Sequence, residues 1–232
     1  MTDVINVDFD YDINDIVDGV WTENLRDLEV GFLTDTTTST NVGMFQNCDT
    51  LITFDGILSS LRNGWNMFEN CSNLVTFTPA LPKIINGRNM FSGCEKLENI
   101  NTPLSTLEDG TEMFMGCTSL KRFVNTLEKL VYGTDMFNGC TSLNEFDADL
   151  SSLFDGERMF MGCKELYIDD SFAIALPKLE YGHEMFFNTT IGQFDSDLPA
   201  LKDGSGMFKN STLDGLNEKH TFANKLPVLE NG

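Results

Sequence analysis

Six cysteines stand at Cys48, Cys71, Cys94, Cys117, Cys140 and Cys163, each 23 positions after the one before. A fixed interval of this length identifies a chain built from repeated supersecondary units, which bury their apolar faces only by stacking on one another. A Met-Phe pair begins four positions before each cysteine, and Met185-Phe186 and Met207-Phe208 continue the series where the cysteines have stopped. The chain therefore contains eight units.

Aligning the units turns the sequence into columns. One column is glycine: Gly64, Gly87, Gly110, Gly133, Gly156, Gly182, Gly204 and Gly232, with Gly31 as an earlier member. It is expected to mark a corner of positive φ, so that Gly133→Val should cost a few kcal/mol. The residue before the cysteine position is Asn47, Asn70, Gly93, Gly116, Gly139, Gly162, Asn188 or Asn210, the two residue types that tolerate left-handed backbone. Together these columns predict a one-turn helix over G-x-x-M-F-x, stopped by a left-handed residue. A strand is expected over C-x-x-L-x-x-F, as in Cys71 to Phe77, and an apolar pair such as Leu127 and Leu130 lies on the return path. Stacked at a strand spacing of ~4.8 Å, the coils would form a rod roughly 40 Å long with a sheet along one face.

The string Met113-Phe114-Met115-Gly116-Cys117-Thr118-Ser119-Leu120, with its L-x-x-L-x-x-G continuation, resembles the BspA-like leucine-rich repeat. That family usually has Ala-Phe where this chain has Met-Phe. The resemblance covers roughly residues 44–232, and it implies a surface recognition or adhesion module of bacteria, some protists or phages, without a catalytic site. The expected fold is an α/β repeat: a right-handed leucine-rich-repeat solenoid with one short strand and one short helical turn per coil. Residues 1–43, with nine carboxylates in the first thirty against Arg26 alone, read as an acidic cap and polar loop, and residues 44–232 as the eight repeats. Because Gly232 falls at the corner where another coil would begin, the stack is expected to continue, to be capped beyond that point, or to meet a partner subunit or a second copy there.

The formal net charge of −21, from 36 carboxylates against 15 Lys and Arg, argues against a nucleic-acid partner, which demands basic side chains to neutralise phosphates. No apolar run approaches the ~20 residues of a membrane-spanning helix, and no basic segment followed by an apolar stretch opens the chain. Neither membrane insertion nor a signal peptide is expected. The cysteine position becomes Thr189 and Ser211 in the last two units, which speaks for a ladder of buried free thiols rather than for disulfides or a metal, since neither substitute replaces a thiolate. Such thiols fit folding in a reducing compartment.

Catalytic equipment is sparse. His183 and His220 lie in no metal motif, and no phosphate-binding loop or dinucleotide fingerprint occurs. The acid pairs Asp147/Asp149 and Glu108/Asp109 read as solvated surface, and the N-x-[ST] sequons at Asn70, Asn188 and Asn210 as consequences of the left-handed column. No cofactor, metal or enzymatic activity is expected. The exposed strand positions vary where the interior columns do not: Ile52-Thr53, Val75-Thr76, Glu98-Asn99, Lys121-Arg122 and Asn144-Glu145. Of these, Glu98, Asn99, Lys121, Arg122, Asn144 and Glu145 are the candidate binding residues for a host or bacterial surface protein or glycan. The expected function is non-enzymatic recognition or adhesion at a bacterial cell surface or on a virion, with a structural spacer that stacks end to end as the alternative. Loops at 34–42, around 167–171 and near 216–221 interrupt the period; functional contacts concentrate on such loops, and tolerated drift of a solenoid explains them equally well.

Overall fold

A computed structural model describes residues 43–168, 176–191 and 198–213. The expected acidic cap up to residue 42, the polar loop at 34–42, the loop at 216–221, Gly31, His220 and the Gly232 end lie outside the described residues, as does most of the insertion that follows Tyr167.

Within the described residues the chain is a solenoid of parallel coils. Seven short strands, β1 (Thr53–Phe54), β2 (Thr76–Phe77), β3 (Arg122–Val124), β4 (Glu145–Asp147), β5 (Tyr167–Ile168), β6 (Thr190–Ile191) and β7 (Thr212–Leu213), pair in parallel with a neighbour one coil away. The register keeps like residues together: Phe54 faces Phe77 and Phe123 faces Phe146. The strands are shorter than the sequence suggests. Leu74 N–H closes a turn on Cys71 O, so C-x-x-L belongs to that turn and the strand begins beyond it. On the return path a second parallel ladder joins Asn63, Asn86, Asp109, Tyr132, Asp155, Tyr181 and Asp203, one residue per coil.

The expected helical turn is absent among the described residues. In its place the G-x-x-M-F-x segment makes successive β-turns: Met67 N–H donates to Gly64 O, Glu69 to Asn66 O and Cys71 to Phe68 O. The intervening N–H groups of Gly64, Asn66, Phe68 and Asn70 donate instead to Asn86, Arg88, Met90 and Ser92 of the next coil. An α-helix would direct these donors four residues back within its own coil. Here alternate amides leave the coil, so the segment acts both as a chain of turns and as an inter-coil ladder that satisfies its backbone.

Two columns per coil take positive φ. The expected one, from Asn47 and Asn70 through Gly93, Gly116, Gly139 and Gly162 to Asn188 and Asn210, lies at φ between 57° and 76°. The second is the residue before Met-Phe: Gly43, Asn66, Asn89, Glu112, Asp135, Arg158, Glu184 and Gly206. From Asn66 onward each sits third in a four-residue turn whose first carbonyl accepts from the fourth N–H, the position at which a type II turn requires positive φ. Glu112, Arg158 and Glu184 hold it without the relief that glycine, asparagine or aspartate would give. Arg158 and Asp135 compensate with a bidentate pair at 2.6 and 3.0 Å across the coil boundary.

Among the described residues the long glycine column, Gly64 to Gly204, is not a positive-φ corner, contrary to the sequence expectation. Its constraint is steric. A Cβ on Gly64 would stand 2.6 Å from Met90 Sδ, one on Gly87 2.7 Å from Met113 Sδ, and one on Gly110 2.9 Å from Met136 Sδ. Each glycine makes room for the methionine of the next coil, and Gly133→Val would meet Leu153 and Met159 rather than a forbidden dihedral.

The core is a set of axial columns. The phenylalanines of the Met-Phe pairs, from Phe45 to Phe208, stack coil on coil with centroids 5.0–5.6 Å apart and planes within 12°. Strand phenylalanines pack edge-on against them, Phe77 on Phe91 and Phe123 on Phe137 both at 4.8 Å. Edge-to-face geometry sets the positive rim of one ring on the negative face of the next, adding ~0.5–1.5 kcal/mol per pair beyond area burial.

The cysteines are free and buried. From Cys71 onward each thiol donates to the carbonyl of the Met-Phe phenylalanine one coil earlier: Cys71 to Phe45 at 3.0 Å, and Cys94 to Phe68, Cys117 to Phe91, Cys140 to Phe114 and Cys163 to Phe137 at 3.1 Å. Thr189 and Ser211 both donate to Phe186 O. The column therefore selects small side chains with a donor, which is why it accepts Cys, Thr and Ser. Burial pushes the Cys94 thiol up to about 12 and raises those of Cys117, Cys140 and Cys163. A raised folded pKa gives stability that is complete below the unfolded thiol value of ~8.5 and is lost as pH climbs towards the folded value. The urea midpoint should hold to about pH 8.5 and fall above it, and the fall should be smaller in a Cys94→Ser/Cys117→Ser/Cys140→Ser variant, which keeps the donors. Equal declines in the two proteins would show that thiol ionisation is not the cause.

Candidate functional site

Side chains leave the strand face alternately. In β3 Arg122 and Val124 point outward while Phe123 is buried, and β4 repeats the pattern with Glu145, Phe146 and Asp147. This alternation follows from the two-residue period of a strand and from the phenylalanine column that anchors each coil. The six candidate residues fall on three consecutive coils: Glu98 and Asn99, Lys121 and Arg122, Asn144 and Glu145 are all exposed. Asn99 bridges to Arg122, which pairs in register with Glu145, so the structure brings all six into one patch.

Its charges are already cross-linked. Lys121 Nζ lies 3.6 Å from Glu98 Oε2, and an Arg122 guanidinium nitrogen lies 2.9 Å from Glu145 Oε1. All four side chains are about half exposed, so each pair contributes less than ~1 kcal/mol to stability and opens at little cost to a ligand. The arrangement suits hydrogen-bond exchange with a polar surface.

The other chemistry-bearing residues are occupied with structure. Asp109 and Asp155 accept the N–H two residues ahead, at Thr111 and Glu157. Asp149 does the same at Ser151, and the hydrogen bonds from the Ser151 hydroxyl and N–H hold its carboxyl below the usual range. His183 Nδ1 lies 2.7 Å from Ser205 Oγ, and its Nε2 lies 3.7 Å from Glu184. Among the described residues no group of three His, Cys, Asp or Glu side chains is placed to hold a metal, and no helix is long and apolar enough to cross a membrane.

One surface has no counterpart in the residues singled out from the sequence. On the return path Tyr132, Phe154 and Tyr181 form an aromatic row, with centroids 6.4 and 5.4 Å apart and edge-to-face planes. The sequence signal was the column Asn63, Asn86, Asp109, Tyr132, Asp155, Tyr181 and Asp203, in which tyrosine twice replaces an Asn or Asp that caps a turn.

Among solved structures, a crystal structure of a leucine-rich repeat protein from Bacteroides ovatus is similar at 21% identity, with a TM-score of 0.25 over 72% of this chain. The chain spans 56% of the length of that protein. No curated protein matches it. The sequence profile of the BspA type leucine rich repeat region matches in overlapping stretches at residues 2–121, 38–167 and 87–214. With the 23-residue coil, its parallel strand ladder and a family match running from residue 2 to residue 214, the chain belongs to the BspA-type leucine-rich-repeat family.

Proposed function

We propose that the solenoid is a non-enzymatic recognition module that binds a protein or glycan through its strand face, as a component of a bacterial cell surface or of a phage virion. Leucine-rich repeats of this family are typically protein-binding surface modules, and the proposal extends that general role to this chain's own residues. The observation that carries it is the patch on three successive coils: Glu98, Asn99, Lys121, Arg122, Asn144 and Glu145 vary from coil to coil while the Leu and Met-Phe columns beneath them stay almost constant. The parallel ladder between coils fixes the backbone beneath these side chains, which lowers the entropy lost on binding. Their paired charges provide directional donors and acceptors rather than a bulk field, so binding should persist when salt screens long-range attraction.

The test is capture of envelope proteins and glycans by the immobilised protein at low and at physiological salt. Saturable capture that survives physiological salt and drops about tenfold in a Lys121→Ala/Arg122→Ala variant, as loss of a small hot spot would cause, supports the reading. Capture that the double variant leaves unchanged would move recognition to another surface, and its absence with every envelope fraction would favour a structural spacer.

A further inference from the structure

Two coils of the return path carry the same five-residue string with one variable position, Lys129-Leu130-Val131-Tyr132-Gly133 and Lys178-Leu179-Glu180-Tyr181-Gly182. They are two coils apart, since Tyr132 bridges to Asp155 and Asp155 to Tyr181. Between them the intervening coil presents Ser152 and Phe154. Glu108, Lys129, Val131, Tyr132, Ser152, Phe154 and Lys178 line a single open depression of about 610 Å³. Tyr132 is 48% exposed, the most exposed large apolar side chain among the described residues. Among the described residues Lys129 has no carboxylate partner, and Lys178 has only a 3.4 Å contact with Ser152 Oγ. Most other features of this face are spoken for: Asp155 caps its own turn, and Lys202 is bound to Glu180.

We propose that this face binds an acidic polysaccharide lying along the solenoid axis, with one carboxylate on every second sugar. Three features select that ligand. The depression is shallow and its aromatic rings are partly exposed, which suits the apolar face of a pyranose better than the protruding anchor of a protein partner, which needs a deep pocket. Ser152 and Glu108 supply polar contacts beside the rings for hydroxyl groups. The lysine and tyrosine recur every second coil, ~10 Å at the spacing of parallel strands, which matches a disaccharide repeat whose successive acids meet Lys129 and Lys178. In a chain of net charge −21, two lysines with no carboxylate ion pair among the described residues outnumber the one carboxylate of the depression, Glu108, and form beside the aromatic row a local site for an anion, felt only at short range at physiological salt. The site is separate from the strand-face patch and does not depend on it.

Titration calorimetry with a hyaluronan octasaccharide, which alternates glucuronate and a neutral sugar, tests the assignment against neutral cellohexaose and poly-L-glutamate. Saturable binding of the octasaccharide is expected, with cellohexaose and poly-L-glutamate each at least about tenfold weaker. Tyr132→Ala and Lys129→Ala/Lys178→Ala should each weaken it by about tenfold or more, while Lys121→Ala/Arg122→Ala on the strand face leaves it unchanged. Both sets of side chains are at the surface, and thermal melting of each variant confirms that the coil is intact. Absence of octasaccharide binding, equal binding of cellohexaose, or binding indifferent to Tyr132 overturns the proposal. Equal binding of poly-L-glutamate overturns it too, because the site would then be one for acidic peptides.

Discussion

Replacing Phe137 by alanine should destabilise the protein by about 3–5 kcal/mol, the range for removing a fully buried phenylalanine. Phe137 has no exposed surface and touches four rings: Phe114 at 5.4 Å and Phe160 at 5.6 Å in the axial stack, Phe123 at 4.8 Å and Phe146 at 5.5 Å edge-on. The void opens in the middle of a column, with coils above and below tied by amide ladders that resist collapse, so the cost belongs at the upper end. Its carbonyl, which accepts from Cys140 N–H and from the Cys163 thiol, survives the substitution, so the loss isolates the ring. Phe45→Ala, in a coil whose ring is only partly buried, should cost less. Urea unfolding of both variants decides the matter. Equal losses at Phe137 and Phe45 would mean that the ladder does not act as a continuous column.

The second large effect separates two glycine columns that look alike in the sequence. Gly116 has φ 72°, and a Cβ there meets nothing closer than Gly93 at 3.9 Å. Asparagine tolerates this backbone region and already occupies the column at Asn70 and Asn188, so Gly116→Asn should change stability by no more than about 0.5 kcal/mol. Gly87 is buried outside the left-handed region, and a Cβ there would stand 2.7 Å from Met113 Sδ and 3.1 Å from Leu107 Cδ1. Gly87→Asn forces the methionine aside and buries an amide among apolar groups, and overpacking together with an unsatisfied polar group should cost about 3 kcal/mol or more. Comparable melting temperatures for the two variants would show that the glycines of Gly87's column are not spacers for the methionines.

The architecture was legible because a repeat states each structural requirement eight times. The cysteine interval, the Met-Phe pairs and the leucine columns were enough to predict parallel coils, a phenylalanine and methionine interior and buried free thiols. The left-handed residue at Asn70 or Gly116 was legible for the same reason, since only Gly and Asn fill that column. The second left-handed column was not, because Glu112, Arg158 and Glu184 are side chains that normally avoid positive φ. Tertiary bonds hold them there, and no local preference reports it.

The binding surfaces divide in a similar way. Exposure of Glu98, Lys121 and Asn144 follows from strand alternation and could be read from the chain. The pairing of Lys121 with Glu98 and of Arg122 with Glu145 depends on register, which the repeat length implies but the side-chain geometry completes. The row of Tyr132, Phe154 and Tyr181 was invisible as a unit, since its members lie in two neighbouring columns and are separated by 22 and 27 positions.

What the sequence by itself determined is the coil: its length, its buried columns and the parallel stacking that follows when each unit has an apolar face it cannot bury alone. The tertiary structure decided how each coil turns its corners and what its surface presents. A segment that reads as a helical turn becomes a chain of β-turns because alternate amides find better-placed acceptors in the next coil. A glycine that reads as a backbone hinge is instead the space a neighbouring methionine fills. In both cases the deciding partner lies one coil away, and a pattern read within a single repeat records the requirement without recording which neighbour imposes it.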